Sequence, residues 1–205
     1  MTKRLTAKKK ISRKLGASLW GQAKDPFVKK NYRPGQHGKG MKGRTSDYGT
    51  QLKAKQRMKF YYGNISEKQF FNTFELASST KGDVGENFIN LLESRLDAVV
   101  YRANFVATVF AARQFVSHKH VTVNGKTVNI ASFRLKVGDI VQVKEKSRKL
   151  AIVIDSLQKM ERDIPSYLAL DKDAHTIKLT TKPTFAEVPY AAEMSPHLVT
   201  EFYSR

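Results

Sequence analysis

Positive charge is concentrated in the first third of this 205-residue chain. Residues 1–60 contain 18 lysines and arginines but only two acidic residues, Asp25 and Asp47, whereas residues 61–205 are almost balanced. Like charges at this density repel one another, so the segment is a poor candidate for a compact domain by itself. A bound polyanion neutralises such a field, and nucleic acid is the most common polyanion. The charge distribution therefore predicts a protein that binds nucleic acid.

Composition excludes several other classes of function. The chain has no cysteine, which removes disulfides, thiolate zinc sites and cysteine nucleophiles. No apolar run reaches the roughly 18 residues of a membrane span, and the basic third lacks the apolar face of a membrane-lying helix. We therefore expect no membrane partner. The first residues are basic and acid-free without a secretory apolar segment, so a transit peptide stays an open alternative.

No residue pattern indicates a metal, a cofactor or catalysis. His118 and His120 flank Lys119, but no third ligand lies near them in sequence. The carboxylates mostly stand beside lysine or arginine, where solvated pairs are usual. We expect no metal, no cofactor and no enzymatic activity.

The spacing of apolar residues predicts an α+β fold. A mostly helical, basic N-terminal domain is followed by a small helix–helix–β-hairpin module over about 93–156. Predicted helices begin near Ser46, Ser66 and Asp83, the third running to about residue 102, and a short one follows over 108–117. Asn124-Gly125 predicts a hairpin turn, and the alternation in LKVGDIVQV, AIVID and TEFYSR suggests further strands.

A glycine-rich loop in the basic third has the chemistry of an RNA contact. GKGMKG, residues 38–43, matches the G-x-G-x-x-G pattern, but no buried strand precedes it, so we reject a dinucleotide site. A flexible loop explains the glycines but not the interleaved Lys39, Lys42 and Arg44. Glycines let backbone N–H groups approach phosphates, which the basic side chains neutralise.

A second group of polar side chains lies in the module. For the members at the end of the 108–117 helix, a solvated helix end that favours cations is as good an explanation as an RNA contact. Two short helices and a hairpin also present donors to an RNA backbone, which proteins read largely by shape. The group comprises Arg95, Arg102, Arg113, Gln114, Ser117, His118, Lys119, Asn124 and Lys126.

Several motifs resemble one known family. LESRLDAVVYR, AARQFVSHKHVTVNGKTVNI and VGDIVQV resemble the RNA-binding module of the small-subunit ribosomal protein four family. That module also occurs in a tyrosyl-tRNA synthetase appendage, in pseudouridine synthases and in a heat-shock protein. The rest of the chain resembles the ribosomal family itself, in the right order, through PGQHG, SDYG, QLKAKQ, YYGNISEKQF, GENFINLLESRLD and HLVTEFYSR.

The resemblance implies both an organisation and a role. It implies a basic helical domain over 1–92 joined by the tail 176–205, the module over 93–156, and a connecting extension over 157–175. It implies a structural constituent that binds the 5′ domain of 16S-type rRNA as a primary binder and nucleates assembly of the subunit body. Family members abut ribosomal protein five, lie near protein three at the mRNA entry region, and influence accuracy together with proteins five and twelve. The expected location is the ribosome, cytoplasmic or organellar.

Carrying the family pattern onto this chain completes the predicted contacts. It adds Ser46, Tyr48, Gln51, Lys55 and Gln56. Some relatives bind zinc through four N-terminal cysteines, which are absent here, so we expect packing and RNA to order the first segment and the 34–44 loop to be mobile without RNA. The remaining predicted contacts are Lys8, Lys9, Lys10, Arg13, Arg33, Gln36, His37, Gly38, Lys39, Lys42 and Arg44.

Two alternatives share the module. An RNA-modification enzyme needs a catalytic domain of well over about 100 residues after it, and only about 50 follow Asp155. A free-standing RNA chaperone typically lacks a PGQHG-type first half. Both alternatives fit the sequence less well than a ribosomal protein does.

Overall fold

The computed structural model describes residues 8–22, 24–40 and 45–204, and these form two compact units. The first combines Met1–Phe74 with Tyr190–Arg205, and the second is Glu75–Pro189. The division therefore falls at 74/75 and 189/190 rather than at the sequence-based limit of 92/93. The limits 1–92, 93–156 and 157–175 describe sequence modules and stay a prediction.

In the described residues seven helices precede the first strand, so helices and strands are largely segregated, which confirms the predicted α+β fold class. Within the described residues the helices are α1 (Lys8–Leu15), α2 (Pro26–Lys29), α3 (Asp47–Tyr61), α4 (Glu67–Ser79), α5 (Val84–Glu93), α6 (Leu96–Arg102), α7 (Val109–Ser117), α8 (Glu145–Arg148), α9 (Ala151–Lys159) and α10 (Pro196–Tyr203). The strands are β1 (Val121–Val123), β2 (Lys126–Thr127), β3 (Ile140–Val143), β4 (Leu168–Asp171) and β5 (Thr176–Leu179).

Three predicted helix starts are confirmed by side-chain caps. Ser46 Oγ accepts the Gly49 N–H at 3.2 Å at the start of α3. Asp83 Oδ2 accepts the Glu86 N–H at 2.7 Å before α5, and Thr108 caps α7. Each oxygen satisfies an amide that the first helical turn leaves without a partner.

In the first unit, α10 packs against α3. The prediction of a strand in TEFYSR is wrong, because α10 extends to Tyr203. Pro196 stands at its first turn, where a missing N–H has no cost. Val199 is fully buried and Tyr203 packs on Phe74, with ring centroids 5.0 Å apart. Val199 and Tyr203, four residues apart, therefore lie on the same face of a helix, although the alternating pattern had suggested a strand.

In the second unit, the predicted continuous helix from Asp83 is interrupted at Ser94 and Arg95. Arg95 is extended and forms an isolated antiparallel bridge with Arg134. The Leu135 N–H donates to Ser94 O at 2.8 Å, and the Leu96 N–H donates to Phe133 O at 2.8 Å. A distant segment therefore replaces the helical hydrogen bonds, which local periodicity does not reveal.

The second unit contains a five-stranded antiparallel sheet in the order β2-β1-β3-β5-β4. The predicted hairpin is confirmed: Asn124 and Gly125 have φ values of 48° and 78°, as a tight primed turn requires. Val121 pairs with Val143 and Val123 with Val141, all on the buried face. Strand β5 belongs to this sheet, and the return to the first unit begins only at Tyr190.

The prediction of a strand in AIVID is also wrong, because these residues begin α9. Val153 and Ser156 are buried three residues apart, while Ile152 and Ile154 are exposed. Two of the apolar residues, Ile152 and Ile154, are exposed rather than part of the core. The apolar pattern of AIVID therefore resembled that of a strand. Across residues 8–22, 24–40 and 45–204, no helix is both long and apolar enough to cross a membrane.

Candidate nucleic-acid interface

A groove in the first unit gathers five basic side chains. It lies between the end of α1, the segment 31–39 and the middle of α3, and a depression beside it shares three of the cations and adds Gln56. No acidic residue lines either of them in the described part of the chain. We call this surface the basic groove and define it by Arg13, Lys14, Arg33, Lys39 and Lys53. Its chemistry suits phosphate groups.

Tyr32 holds two of these cations in place. The Arg13 guanidinium lies 4.7 Å from the Tyr32 ring centroid, and Lys39 Nζ lies 5.4 Å from it. Arg13 also donates from Nε to Tyr32 O at 3.1 Å and from Nη2 to Arg33 O at 3.3 Å. An aromatic face and carbonyl oxygens orient a cation without cancelling its charge. The groove therefore keeps a full positive potential.

A buried carboxylate fastens α1 to the segment that follows it. Asp25 Oδ2 accepts hydrogen bonds from Ser12 Oγ at 2.8 Å and Ser18 Oγ at 3.2 Å, and its Oδ1 accepts the Phe27 N–H at 2.9 Å. We call these four residues the Asp25 clasp. Ser12 precedes Arg13 on α1, so the clasp fixes the helix that supplies one wall of the basic groove.

The predicted glycine-rich loop is described as far as Gly40. The Gly38 N–H donates to Gly35 O at 3.3 Å, and Gly35 has a φ of 107°. A Cβ on Gly38 would lie 1.8 Å from Arg33 O, so only glycine fits there. Gln36, His37 and Lys39 are exposed. The predicted contacts Lys42 and Arg44 lie outside the described residues.

Helix α3 divides the predicted contacts between two faces. Lys53 and Gln56, three residues apart, face the groove region. The opposite face meets α10: Gln51 Nε2 donates to Glu201 Oε2 at 2.9 Å, and Lys55 Nζ lies 4.2 Å from the Phe202 ring centroid. Gln51 and Lys55 are buried by this packing, which argues against the RNA contacts predicted for them.

Ser46, Tyr48 and Lys10, three other predicted residues of the first unit, are exposed. Tyr48 touches Phe202, with ring centroids 5.6 Å apart, but stays half exposed, and Ser46 acts as the cap of α3. Lys8, Lys9 and Lys10 form the first turn of α1, and Lys10 is exposed.

Glu67 pairs with two lysines of α3. Its carboxylate accepts from Lys55 Nζ at 2.6 Å, from Lys59 Nζ at 3.0 Å and from Tyr203 OH at 2.8 Å. Burial raises the pKa of Glu67, but these hydrogen bonds outweigh it and lower the pKa to about 2. Burial and the same hydrogen bond raise the pKa of Tyr203. This cluster is structural, since both lysines and Tyr203 already bond the same carboxylate.

In the second unit, Arg95 and Arg102 are also committed to the core. Arg95 donates to both oxygens of Asp97 at 3.0 and 2.8 Å, and Arg102 donates to both oxygens of Glu93 at 3.1 and 2.8 Å. The two guanidinium groups are almost completely buried. Geometry of this kind argues against the direct phosphate contacts that the sequence suggested for them.

The remaining predicted residues of the module lie at its surface. Gln114, Ser117, His118 and Lys119 are exposed at the end of α7, and Lys126 is exposed in the hairpin. Lys119 has a left-handed backbone with a φ of 63°, which ends the helix sharply.

Two further predicted residues of the module have structural bonds. Asn124 donates to Asp139 Oδ1 at 2.9 Å and accepts the Ile140 N–H at 2.9 Å, so its side chain holds the turn. Arg113 Nη1 lies 3.5 Å from Asp97 Oδ2.

Sequence reasoning missed Lys14, Tyr32 and Lys53. The spacing of α3 separates Lys53 from Gln51 and Lys55, which are four residues apart on another face, but it does not indicate which face is open to the groove. The position of Tyr32 depends on Arg13, which is 19 residues away, and no local pattern records that contact. In the described residues no three histidine, aspartate or glutamate side chains are grouped as metal ligands.

Comparison with known proteins finds similarity along the whole chain. Residues 3–93 match the family model described as the ribosomal protein S4/S9 N-terminal domain, and residues 94–141 match the S4 domain. The small ribosomal subunit protein uS4 of Brucella abortus (strain S19) is 57% identical over 205 residues, which is 100% of both chains. The protein of the same name from Brucella anthropi is 56% identical with the same coverage.

Proposed function

The chain belongs to the uS4 family of bacterial small ribosomal subunit proteins, and on that premise we propose that it is a primary binder of the 5′ domain of 16S-type rRNA and nucleates assembly of the subunit body. Family membership makes the chain a structural, rRNA-binding constituent of the ribosome and not an enzyme. The resemblance that the sequence motifs indicated is thereby confirmed.

The observation that carries the proposal is the basic groove. Five cations line it without an acidic neighbour in the described structure, and Tyr32 and the Asp25 clasp hold its wall in place. We assign rRNA phosphates to this surface. The proposed contacts in the first unit are Lys10, Arg13, Lys14, Arg33, Gln36, His37, Lys39, Lys53 and Gln56.

Protein neighbours form the finer part of the proposal, and family membership is its support. We propose that the protein abuts ribosomal protein five and lies near protein three at the mRNA entry region. We further propose that it contributes to translational accuracy together with proteins five and twelve. Its proposed location is a cytoplasmic ribosome, with an organellar ribosome as the alternative.

Filter binding across a salt series tests the rRNA proposal. The purified protein is titrated with the 5′ domain of small-subunit rRNA, with tRNA and with large-subunit rRNA. We expect clear preference for the first, and a steep fall of affinity with salt because many phosphates are neutralised. Equal affinity for all three RNAs overturns the proposal and favours a general RNA chaperone.

A charge-reversal pair tests the groove itself. Lys14→Glu combined with Lys53→Glu should lower the affinity for the 5′ domain at least about tenfold and flatten the salt dependence, because two phosphate contacts are lost. Lys172→Glu combined with Lys182→Glu is the matched control, since both lysines are exposed in the second unit. Equal affinities of the two double variants would remove the groove from the proposal.

A further inference from the structure

A second group of cations follows strand β3, beyond the residues that match the S4 domain model. The segment Lys144–Lys149 contains four basic residues and one acidic residue, Glu145. Lys146 and Lys149 are exposed, and neither forms an ion pair with a carboxylate in the described part of the chain. A solvated helix surface usually carries charges of both signs, so this bias suggests an anionic partner.

The segment is fastened to the turn that follows α7. The Lys144 N–H donates to His120 O at 3.0 Å, and His120 Nδ1 lies 2.8 Å from Ser147 Oγ. The His120 ring stacks on Phe115, with centroids 4.8 Å apart, and Ser147 is buried. Helix α8 is therefore held at a fixed position beside the exposed His118 and Lys119.

Electrostatics around His120 agree with this crowding of cations. Burial lowers the pKa of His120, and the neighbouring charges of His118 and Lys144 lower it further. His118 of the turn and Lys144 of the segment thus both lie close enough to His120 to affect its pKa.

We infer that Lys119, Lys146 and Lys149 form one continuous cationic surface, which we call the α8 surface, and that it binds a phosphate backbone of the same rRNA. The inference rests on the proposed function and extends it to Lys146 and Lys149, which lie outside both family models. RNA suits the surface better than an acidic peptide, because the cations are spread over a turn and over helix α8. The bond between Ser147 and His120 holds these two elements together. Helical RNA is recognised largely through its shape and its backbone phosphates.

The test compares salt slopes. Lys146→Glu combined with Lys149→Glu should flatten the slope of log affinity against log salt by about two, since each lost phosphate contact contributes about 0.9. Affinity for the 5′ domain should fall at least about tenfold. The control, Lys172→Glu with Lys182→Glu, makes the same change of net charge elsewhere in the second unit and should keep a larger slope.

A second variant tests the fixed position of the helix. Ser147→Ala removes the bond to His120 without changing charge, and we expect faster amide exchange in α8 with a several-fold loss of affinity. If both α8 variants keep wild-type slopes and affinities while the wild-type protein prefers small-subunit rRNA, the inference fails and the proposed function stands. If the wild-type protein shows no such preference, the proposed function fails first.

Discussion

Glu93 shows how a single buried residue can hold an arginine in the core, where it is not available to RNA. Its side chain has no exposed surface, yet its carboxylate receives two hydrogen bonds from Arg102 and one from Tyr167 OH at 2.9 Å. A buried carboxylate of this kind is stable only when all of its donors are in place. Arg102 is therefore a structural residue, although the sequence had suggested an RNA contact for it.

Substitution of Arg102 distinguishes these two roles. Arg102→Ala leaves the buried Glu93 charge without its main partner, so we expect a loss of about 3–5 kcal/mol in the free energy of unfolding. Urea denaturation of the free protein measures the loss. An unchanged unfolding free energy together with a reduced RNA affinity would contradict the structural role and restore a direct contact.

The acid sensitivity of Glu67 is a second test at this scale. Its folded pKa of about 2 lies below the ordinary value of 4.5, so its contribution is complete above pH 4.5 and is lost as the pH falls through about 2. Half of the side chain is exposed, so solvent screening limits the contribution to about 1 kcal/mol. Glu67→Gln should be less stable than wild type at pH 7 and equally stable near pH 2 in denaturant titrations. A difference that persists unchanged to pH 2 would exclude the charge as its cause.

At the scale of elements, the Asp25 clasp replaces a large core in the first segment. Ser12, Ser18 and the Phe27 N–H all donate to one carboxylate, which joins the short helices α1 and α2. Ile11, Leu15 and Leu19 are buried beside it, a small apolar set for a segment of such high charge. Hydrogen bonding thus supplies much of the order that packing supplies elsewhere.

Breaking the clasp should loosen one wall of the basic groove. For Asp25→Ala we expect faster hydrogen exchange confined to residues 8–40 and a several-fold loss of affinity for the 5′ domain, because about 1 kcal/mol is lost for each hydrogen bond. Asp25→Asn keeps an oxygen that can cap α2, so its exchange rate and its affinity should be intermediate between those of wild type and Asp25→Ala. Exchange that is unchanged in α1 would show that the clasp does not hold this helix.

The elements that the sequence predicted correctly are those specified by neighbouring residues. Ser46, Asp83 and Thr108 cap their own helices, and Asn124-Gly125 forms its own turn. The break after α5 was missed because Phe133 and Leu135, about 40 residues further along the chain, supply the hydrogen bonds there. Local rules do not contain such pairings.

The candidate site follows the same division. The charge of the first third and the glycine-rich loop predict an RNA-binding surface there, because composition alone carries that signal. Which lysines face the groove depends on α10, which covers the face of Gln51 and Lys55 and leaves that of Lys53. No spacing within α3 indicates which of its faces α10 covers.

For the whole molecule, three acidic residues of the first unit have partners other than the cations of the basic groove. Asp25 bonds Ser12 and Ser18, Glu67 bonds two lysines of α3, and Glu201 bonds Gln51. None of these carboxylates pairs with a groove cation in the described structure. The fold therefore uses its negative charge to stabilise the unit while the field at the groove stays positive.

The packing of α10 on α3 has a consequence for biosynthesis. Residues 75–189 are continuous and contain the whole second unit, so they can begin to fold as soon as they leave the exit tunnel. The first unit needs Tyr190–Arg205, which is translated after all of them. Gln51 and Lys55 of α3 therefore stay uncovered until the tail has been made, and the segment Met1–Phe74 completes its fold last.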